Sequence, residues 1–185
     1  MSSILKVDQL QDSGGNSIIS SNGSGTFTPG SLNIANAQIA SNAAIATSKL
    51  GSGAILQAVT GNELTSAVTT TSSSFTDSGL YVNITPSSTS SKVLVSVNFN
   101  ARNDTAGGGC VSTIYRDSTQ LSSSGNIQYQ ANGNHHSSTF QQWLDSPSTT
   151  SQIAYKLYFY RFSTGTAYVS ADWGGARMFA LEVQG

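Results

Sequence analysis

Two adjacent histidines, one cysteine and nine acidic residues are the side chains in this sequence with the most chemical reach. His135-His136 holds both histidines. Neighbouring side chains on a strand point to opposite faces, so one chain cannot bring both to one metal ion without a loop. A threefold axis gathering three copies of one histidine would make a metal site; exposed loop residues are the plainer alternative. Cys110 follows Gly107-Gly108-Gly109 and opens an apolar run, the setting of a small buried hydrophobe. A catalytic thiol needs a partner that favours the thiolate, and no histidine lies near in sequence. A serine-hydrolase elbow requires Gly-x-Ser-x-Gly between a strand and a helix; Gly51-Ser52-Gly53 and Gly23-Ser24-Gly25 are too short. Asp145 before Ser146-Pro147, and Asp172 before Trp173-Gly174-Gly175, have the surroundings of turn formers. Glycoside cleavage needs two carboxylates facing across a groove, and no spacing selects such a pair. The expectation is no enzyme, no cofactor and no protein-held metal.

Recognition is the remaining chemistry. The longest glycine-rich and polar connections span residues 102–109, 123–137 and 171–176, and loops carry binding groups in most folds. Tyr129, His135, His136 and Trp173 lie in or beside them, and aromatic rings stack on sugar faces. These four are the candidate receptor-binding residues, with host cell-surface polysaccharide the candidate receptor. Packing is the alternative role for Tyr129 and Trp173.

The composition narrows the setting. Only 9% of the 185 residues are charged, against roughly 25% in an ordinary soluble domain. Eight basic residues scattered along the chain form no stripe for a phosphate backbone, so no nucleic acid is expected as partner. No apolar run is long enough to span a membrane, and no membrane insertion is expected. Met1-Ser2-Ser3-Ile4-Leu5-Lys6 lacks the basic start and apolar stretch of a secretory signal, which predicts folding in the cytoplasm of the producing cell. A lone cysteine excludes an internal disulfide, leaving packing and self-association to stabilise the chain.

Three segments must position these groups. In residues 1–30, Ile4, Leu5, Val7 and Leu10 precede the turn Asp12-Ser13-Gly14-Gly15-Asn16, and Ile18-Ile19 precede Asn22-Gly23-Ser24-Gly25. That pattern predicts a small hairpin, an arm that docks on another protein, with a loose tail as the alternative. In residues 31–53, Ile34, Ile39, Ile45 and Leu50 recur every five or six residues. The row cannot bury itself in one copy, but three copies about an axis would point one aliphatic residue inward per level. A short helix is the other option.

Residues 54–185 predict an antiparallel β-sandwich or jelly roll, from many short strands separated by turn signals. Val93, Val95, Val97 and Phe99 alternate along one strand; Leu80, Val82 and Ile84 do so before Pro86; Phe179, Leu181 and Val183 lie on the last. Further strands are expected around Cys110–Arg116, Thr139–Asp145 and Ala167–Ser170. The strand 153–162 is apolar on both faces, with Ile153, Tyr155, Leu157 and Phe159 on one and Tyr158, Tyr160 and Phe162 on the other. A sandwich strand needs one apolar face, so the aromatic face requires a cover. A subunit interface would supply it, and a loop of the same chain is the alternative. Ile34, Ile39, Ile45, Leu50, Tyr158, Tyr160 and Phe162 are therefore the candidate trimer contacts.

The start Ile4-Leu5-Lys6-Val7-Asp8-Gln9-Leu10-Gln11-Asp12-Ser13-Gly14-Gly15-Asn16 resembles the opening of tail-fibre and virion structural proteins of marine and cyanobacterial phages. Asn42-Ala43-Ala44-Ile45-Ala46-Thr47-Ser48-Lys49-Leu50 is similar to their shaft stretches. Phe75-Thr76-Asp77-Ser78-Gly79-Leu80, Ile84-Thr85-Pro86, Ile114-Tyr115-Arg116-Asp117-Ser118-Thr119 and Leu144-Asp145-Ser146-Pro147 resemble their C1q-like or jelly-roll heads. The resemblance implies a homotrimeric virion component: an attachment arm at 1–30 (Ile4, Leu5, Val7, Leu10, Ile18, Ile19) that binds other virion proteins, a short shaft at 31–53, and a head at 54–185. It implies a tail fibre, with a capsid-decorating head fibre as the second possibility. A polysaccharide-degrading tailspike would need a long β-helix, for which the chain has no room.

Overall fold

The computed structural model describes residues 9–21, 24, 27–29, 49–122, 125–170 and 175–185. Two compact units divide the chain, Met1–Ile45 and Ala46–Gly185.

In the first unit β1 (Gln9–Gln11), β2 (Ser17–Ser21) and β3 (Phe27–Pro29) form an antiparallel meander. The expected hairpin thus gains a third strand. Its first turn is set by Asp12, whose carboxylate accepts the Gly14 and Asn16 amides at 2.8 and 2.9 Å, while Gly15 takes φ +81°. Hydrogen bonds from the Asn16 side chain and backbone, then from Gly14, hold Asp12 below the usual carboxylate range despite a small opposing effect of desolvation. Leu10 and Ile18 are exposed, and Ile19 sits opposite Leu10 in the ladder. Ile4, Leu5, Val7, Ile34, Ile39 and Ile45 lie outside the described residues. Leu50, in the second unit, is exposed.

The second unit is an all-β antiparallel sandwich. It contains β4 (Ile55–Leu64), β5 (Val68–Thr70), β6 (Thr76–Ile84), β7 (Lys92–Asn103), β8 (Gly108–Arg116), β9 (Thr119–Gln120), β10 (Asn126–Gln130), β11 (Ser137–Asp145), β12 (Ile153–Phe162), β13 (Ala167–Ser170) and β14 (Ala176–Val183). β13 and β14 share one edge of β7, β4 and β5 continue that pairing outward, and β9 and β10 share one edge of β8. Merging each interrupted strand leaves eight, in two sheets ordered 1-8-3-6 and 2-7-4-5. That is jelly-roll topology, in which consecutive strands mostly cross between sheets.

The core lies between the sheets. Val93, Val95, Val97, Phe99 and Ala101 face Leu80, Val82, Ile84, Tyr155, Leu157 and Phe159, all buried. One sequence expectation is corrected here. Asp77-Ser78-Gly79 is not a turn but part of a bulge inside β6: Asp77 pairs with Tyr158 and Tyr81 with Lys156, so Ser78, Gly79 and Leu80 stand opposite Leu157 alone. There the Ser78 hydroxyl donates to the Leu157 carbonyl at 2.7 Å, and Gly79 takes φ +75°. On β14 the row Phe179, Leu181, Val183 points outward; the buried face is Ala176, Met178, Ala180 and Glu182. Glu182 is tolerated inside because the Ser87 amide and hydroxyl donate to its Oε1 at 2.7 and 2.6 Å and Gln57 Nε2 donates to Oε2 at 2.6 Å.

The two long sides of the sandwich differ. On one, β4 closes against β6: Asn62 Nδ2 donates to the Gly79 carbonyl at 2.8 Å and Asn62 Oδ1 accepts the Tyr81 amide at 2.7 Å. Gly61 permits that approach, since a Cβ there would strike the Tyr81 carbonyl. On the other side β11 and the β8–β10 edge remain apart over part of their length.

Candidate functional site

That open side holds a cleft of about 280 Å³. Among the described residues, Thr113 and Ile114 of β8 have no ladder partner on the edge that carries β9 and β10, while β12 pairs them on the other edge, and Ser112–Ile114 line the bottom of the cleft. Leu121, Ser122 and Asn126 border one wall, and Phe140 to Trp143 of β11 form the other. Gln141 ties the sheets together at the floor: its Nε2 donates to the Ser112 hydroxyl at 2.5 Å and to the Ser112 carbonyl at 3.3 Å. Trp143 is 38% exposed and Phe140 61%. Thr113 is buried with its side chain on the outer face of the sheet, opposite Tyr158, and among the described residues its hydroxyl has no hydrogen-bond partner. No lining residue carries a formal charge. By strand alternation Gln141 and Trp143 face β8 across the cleft, and Phe140 and Gln142 lie on the outer face of β11.

The sequence candidates lie on neighbouring ground. Tyr129 is exposed on the outer face of β10, its hydroxyl close over Gly107. His135 and His136 are exposed in the β10–β11 connection. Trp173 lies outside the described residues. The loop end that carries Tyr129 and the histidines is firmly tied. Asn103 Nδ2 donates to the Gly109 and Thr164 carbonyls at 3.1 and 3.0 Å, and the Asn134 amide donates to the Asn103 carbonyl at 2.8 Å. Asp104 accepts the Thr166 amide at 2.8 Å and the Tyr168 hydroxyl at 3.3 Å. The Thr166 amide is the largest influence holding Asp104 below the usual carboxylate range. Arg102 lies 3.7 Å over the Tyr168 ring and donates to Asn134 Oδ1 at 2.8 Å. These contacts make the loop end rigid without bringing His135, His136 and Tyr129 into one constellation.

The aromatic face of β12 is partly covered from within the chain. Phe75 meets Tyr160 edge-on at 4.9 Å, and Tyr115 packs on Tyr158 at 4.2 Å between ring centres. Phe162 is left 39% exposed. Other groups with chemical reach are structural. Cys110 is buried and burial pushes its thiol up to about 12, well away from a reactive thiolate. Asp145, expected in a turn, instead ends β11 buried, paired with Arg116 at 2.8 Å. Among the described residues, no three His, Cys, Asp or Glu side chains converge as a metal set, and no helix is long and apolar enough to cross a membrane.

Sequence reasoning missed Phe140, Gln141, Trp143 and Asn126. The signal was present in part, because β11 carries aromatics on both alternations, the criterion that singled out 153–162. Only three-dimensional pairing places Asn126 and Thr113 beside them.

No family model and no curated protein matches this sequence. Among solved structures the chain is similar to one of infectious bursal disease virus Gt strain, with TM-score 0.44 and 11% identity over 72% of this chain and 39% of that one. It is also similar to the VP2 subviral particle of the same virus, with TM-score 0.44 and 12% identity over 70% of this chain and 33% of that one. The chain therefore spans well under half the length of either.

Proposed function

We propose that this chain is a virion structural protein: a tail-fibre subunit that assembles as a homotrimer, attaches to other virion proteins through its N-terminal arm, and presents the jelly-roll head to the host surface without catalysing a reaction. The observation that carries self-association is the outer surface of the sandwich. Tyr81, Ile127, Tyr129 and Phe162 are exposed on one sheet, and Ile55, Phe140, Leu144 and Phe179 on the other. On the second sheet, Leu144, Leu94, Leu181 and Ala58 stand in register as one row across four strands. Contiguous exposed apolar rows of this kind tend to mark interaction surfaces. The virion setting is supported by the resemblance of the arm and shaft motifs. A capsid-decorating head fibre is the second reading, favoured by the shortness of the 31–53 segment.

Light scattering of the purified chain at micromolar concentration should return a trimer mass, and a monomer would overturn the assembly. Cryo-electron microscopy of the particle should place the chain at the tail; density on the shell would select the second reading. Incubation with host polysaccharide should leave its chain length unchanged, and shortened chains would sink the non-enzymatic part.

A further inference from the structure

We infer that the free edge of β11 docks a second copy of this chain, the two β11 strands pairing antiparallel about a two-fold axis at Gln142. The contact goes beyond the trimer and does not depend on it. The edge itself is open. Among the described residues, β11 has one ladder, the nine-residue pairing with β7. Every second residue therefore turns its N–H and C=O away from β7, where only water or another extended backbone meets them. Outside that ladder, the described hydrogen bond to the β11 main chain is the one from the Thr139 hydroxyl to the Ser137 carbonyl. Exposed edges are normally guarded by lysines, prolines, bulges or shortness. Ser137–Asp145 has none of these: its register with β7 is unbroken, and its one charge, Asp145, is buried against Arg116.

The residue pattern selects the occupant. Alternation puts Phe140, Gln142 and Leu144 on the outer face and Gln141 and Trp143 on the inner one. The outer row is apolar, amide, apolar, so it reads alike in both directions. Antiparallel pairing centred on Gln142 sets Phe140 opposite Leu144 of the second copy, Leu144 opposite Phe140, and one amide beside the other. On the inner face, Trp143 falls opposite Gln141 of the second copy. Matched pairs of this kind are what stabilise an antiparallel ladder. Trp143 is 38% exposed although it faces inward, and Phe140 and Leu144 are exposed on the outside; a neighbouring strand covers all three. The row Leu144, Leu94, Leu181 and Ala58 then continues into Phe140 of the second copy. Such a contact uses the same edge on both copies, so it closes on itself and leaves no edge to propagate.

The test is oxidation of the full chain carrying Gln142→Cys with diamide, read on a non-reducing gel. Opposite residues of an antiparallel ladder have Cα atoms about 4.5–5.5 Å apart, within the span of a disulfide. The two thiols should give up their hydrogens to diamide and join as a covalent dimer, while the unsubstituted chain, whose Cys110 is buried, stays uncrosslinked. Phe140→Cys alone should crosslink little, and a mixture of Phe140→Cys with Leu144→Cys should crosslink well, which fixes the register. Gln142→Lys, on an exposed side chain, should keep the melting temperature. It sets like charges face to face, so sedimentation should show the two-fold association weakened about five-fold or more. No crosslink from Gln142→Cys, an equal crosslink from Phe140→Cys alone, or unchanged association of Gln142→Lys would overturn the contact. A trimer mass without crosslinking removes this inference and leaves the trimer standing; a dimer mass with crosslinking supports the strand pairing and removes the trimer.

Discussion

Arg116 Nη1 lies 3.0 and 2.8 Å from the two carboxylate oxygens of Asp145, joining β8 of one sheet to the last residue of β11 in the other. One nitrogen reaches both oxygens, so this is a point contact and not a planar fork. The Tyr155 hydroxyl, buried in the core, donates to Asp145 Oδ2 at 2.8 Å. Burial, then the bond to Asp145, push the Tyr155 phenol far above its usual range, so it remains a donor. The carboxylate is thus the shared acceptor of a cation from the surface and a phenol from the interior.

Asp145→Ala should strip both donors of their acceptor. A loss of about 2–4 kcal/mol is expected, from removing one partner of a mostly buried pair. Tyr155→Phe, which leaves Arg116 and Asp145 paired, should cost only about 1–2 kcal/mol. Urea unfolding at one fixed protein concentration would measure both, since assembly makes apparent stability depend on concentration. Equal losses from the two variants would contradict the shared-acceptor account.

Glu182 provides the pH test. Burial of its carboxyl raises the pKa, but hydrogen bonds led by Ser87 and including Gln57 outweigh it and leave the group below its ordinary 4.5. A depressed folded-state pKa contributes stability that is fully present above the unfolded value and lost as pH falls through the folded one. The head should therefore weaken progressively below about pH 4.5. Glu182→Gln should reduce the difference in unfolding free energy between neutral and acid pH; an unchanged difference would assign acid lability to other carboxylates.

Much of this architecture was legible because alternation reports burial directly. The inward rows Val93 to Phe99, Leu80 to Ile84 and Ile153 to Phe159 were readable as core faces, and Ala167–Ser170 as a strand. β4 escaped notice because Ile55–Leu64 runs along a sheet edge with no fully buried residue and so no clean alternation. β10 escaped because Asn126–Gln130 lies among polar turn residues, and its pairing with Gly108–Ser112 is a long-range fact. Gly108 and Gly109 looked like a turn, yet they begin β8, and at Gly108 the Asn103 side chain and the Thr164 carbonyl leave no room for a Cβ. The cleft between β8 and β11 was hidden for the same reason, because its lining residues come from strands distant in the sequence.

Gly165 tests the loop end. It takes φ +77°, and a Cβ there would collide with the Asn103 and Asp104 side-chain oxygens and with Thr105. Gly165→Ala should cost about 2–3 kcal/mol, from backbone strain plus overpacking. Gly53, at φ +88° with open space around it, is the matched control, and Gly53→Ala should cost only about 1 kcal/mol. Thermal melting of the two variants separates strain from collision; similar losses would mean that the Asn103 network yields freely.

Phe162→Asp addresses assembly. Tyr160 and Tyr158 are already engaged by Phe75 and Tyr115, so a subunit contact on this face must use the part they leave open. That part is Phe162 at the end of β12, opposite Gly109, with Tyr129 alongside on β10. A buried carboxylate in an apolar contact is strongly unfavourable, whereas on an exposed surface the same change falls within about 0.5 kcal/mol. The variant should therefore keep its melting behaviour as an isolated fold and shift toward monomer in light scattering. Tyr81→Asp, on the other edge of the same face, distinguishes a contact centred on Phe162 from one spread across the sheet. If neither variant alters the mass of the assembly, the subunits meet elsewhere, and the leucine row through Leu94 and Leu181 becomes the surface to test.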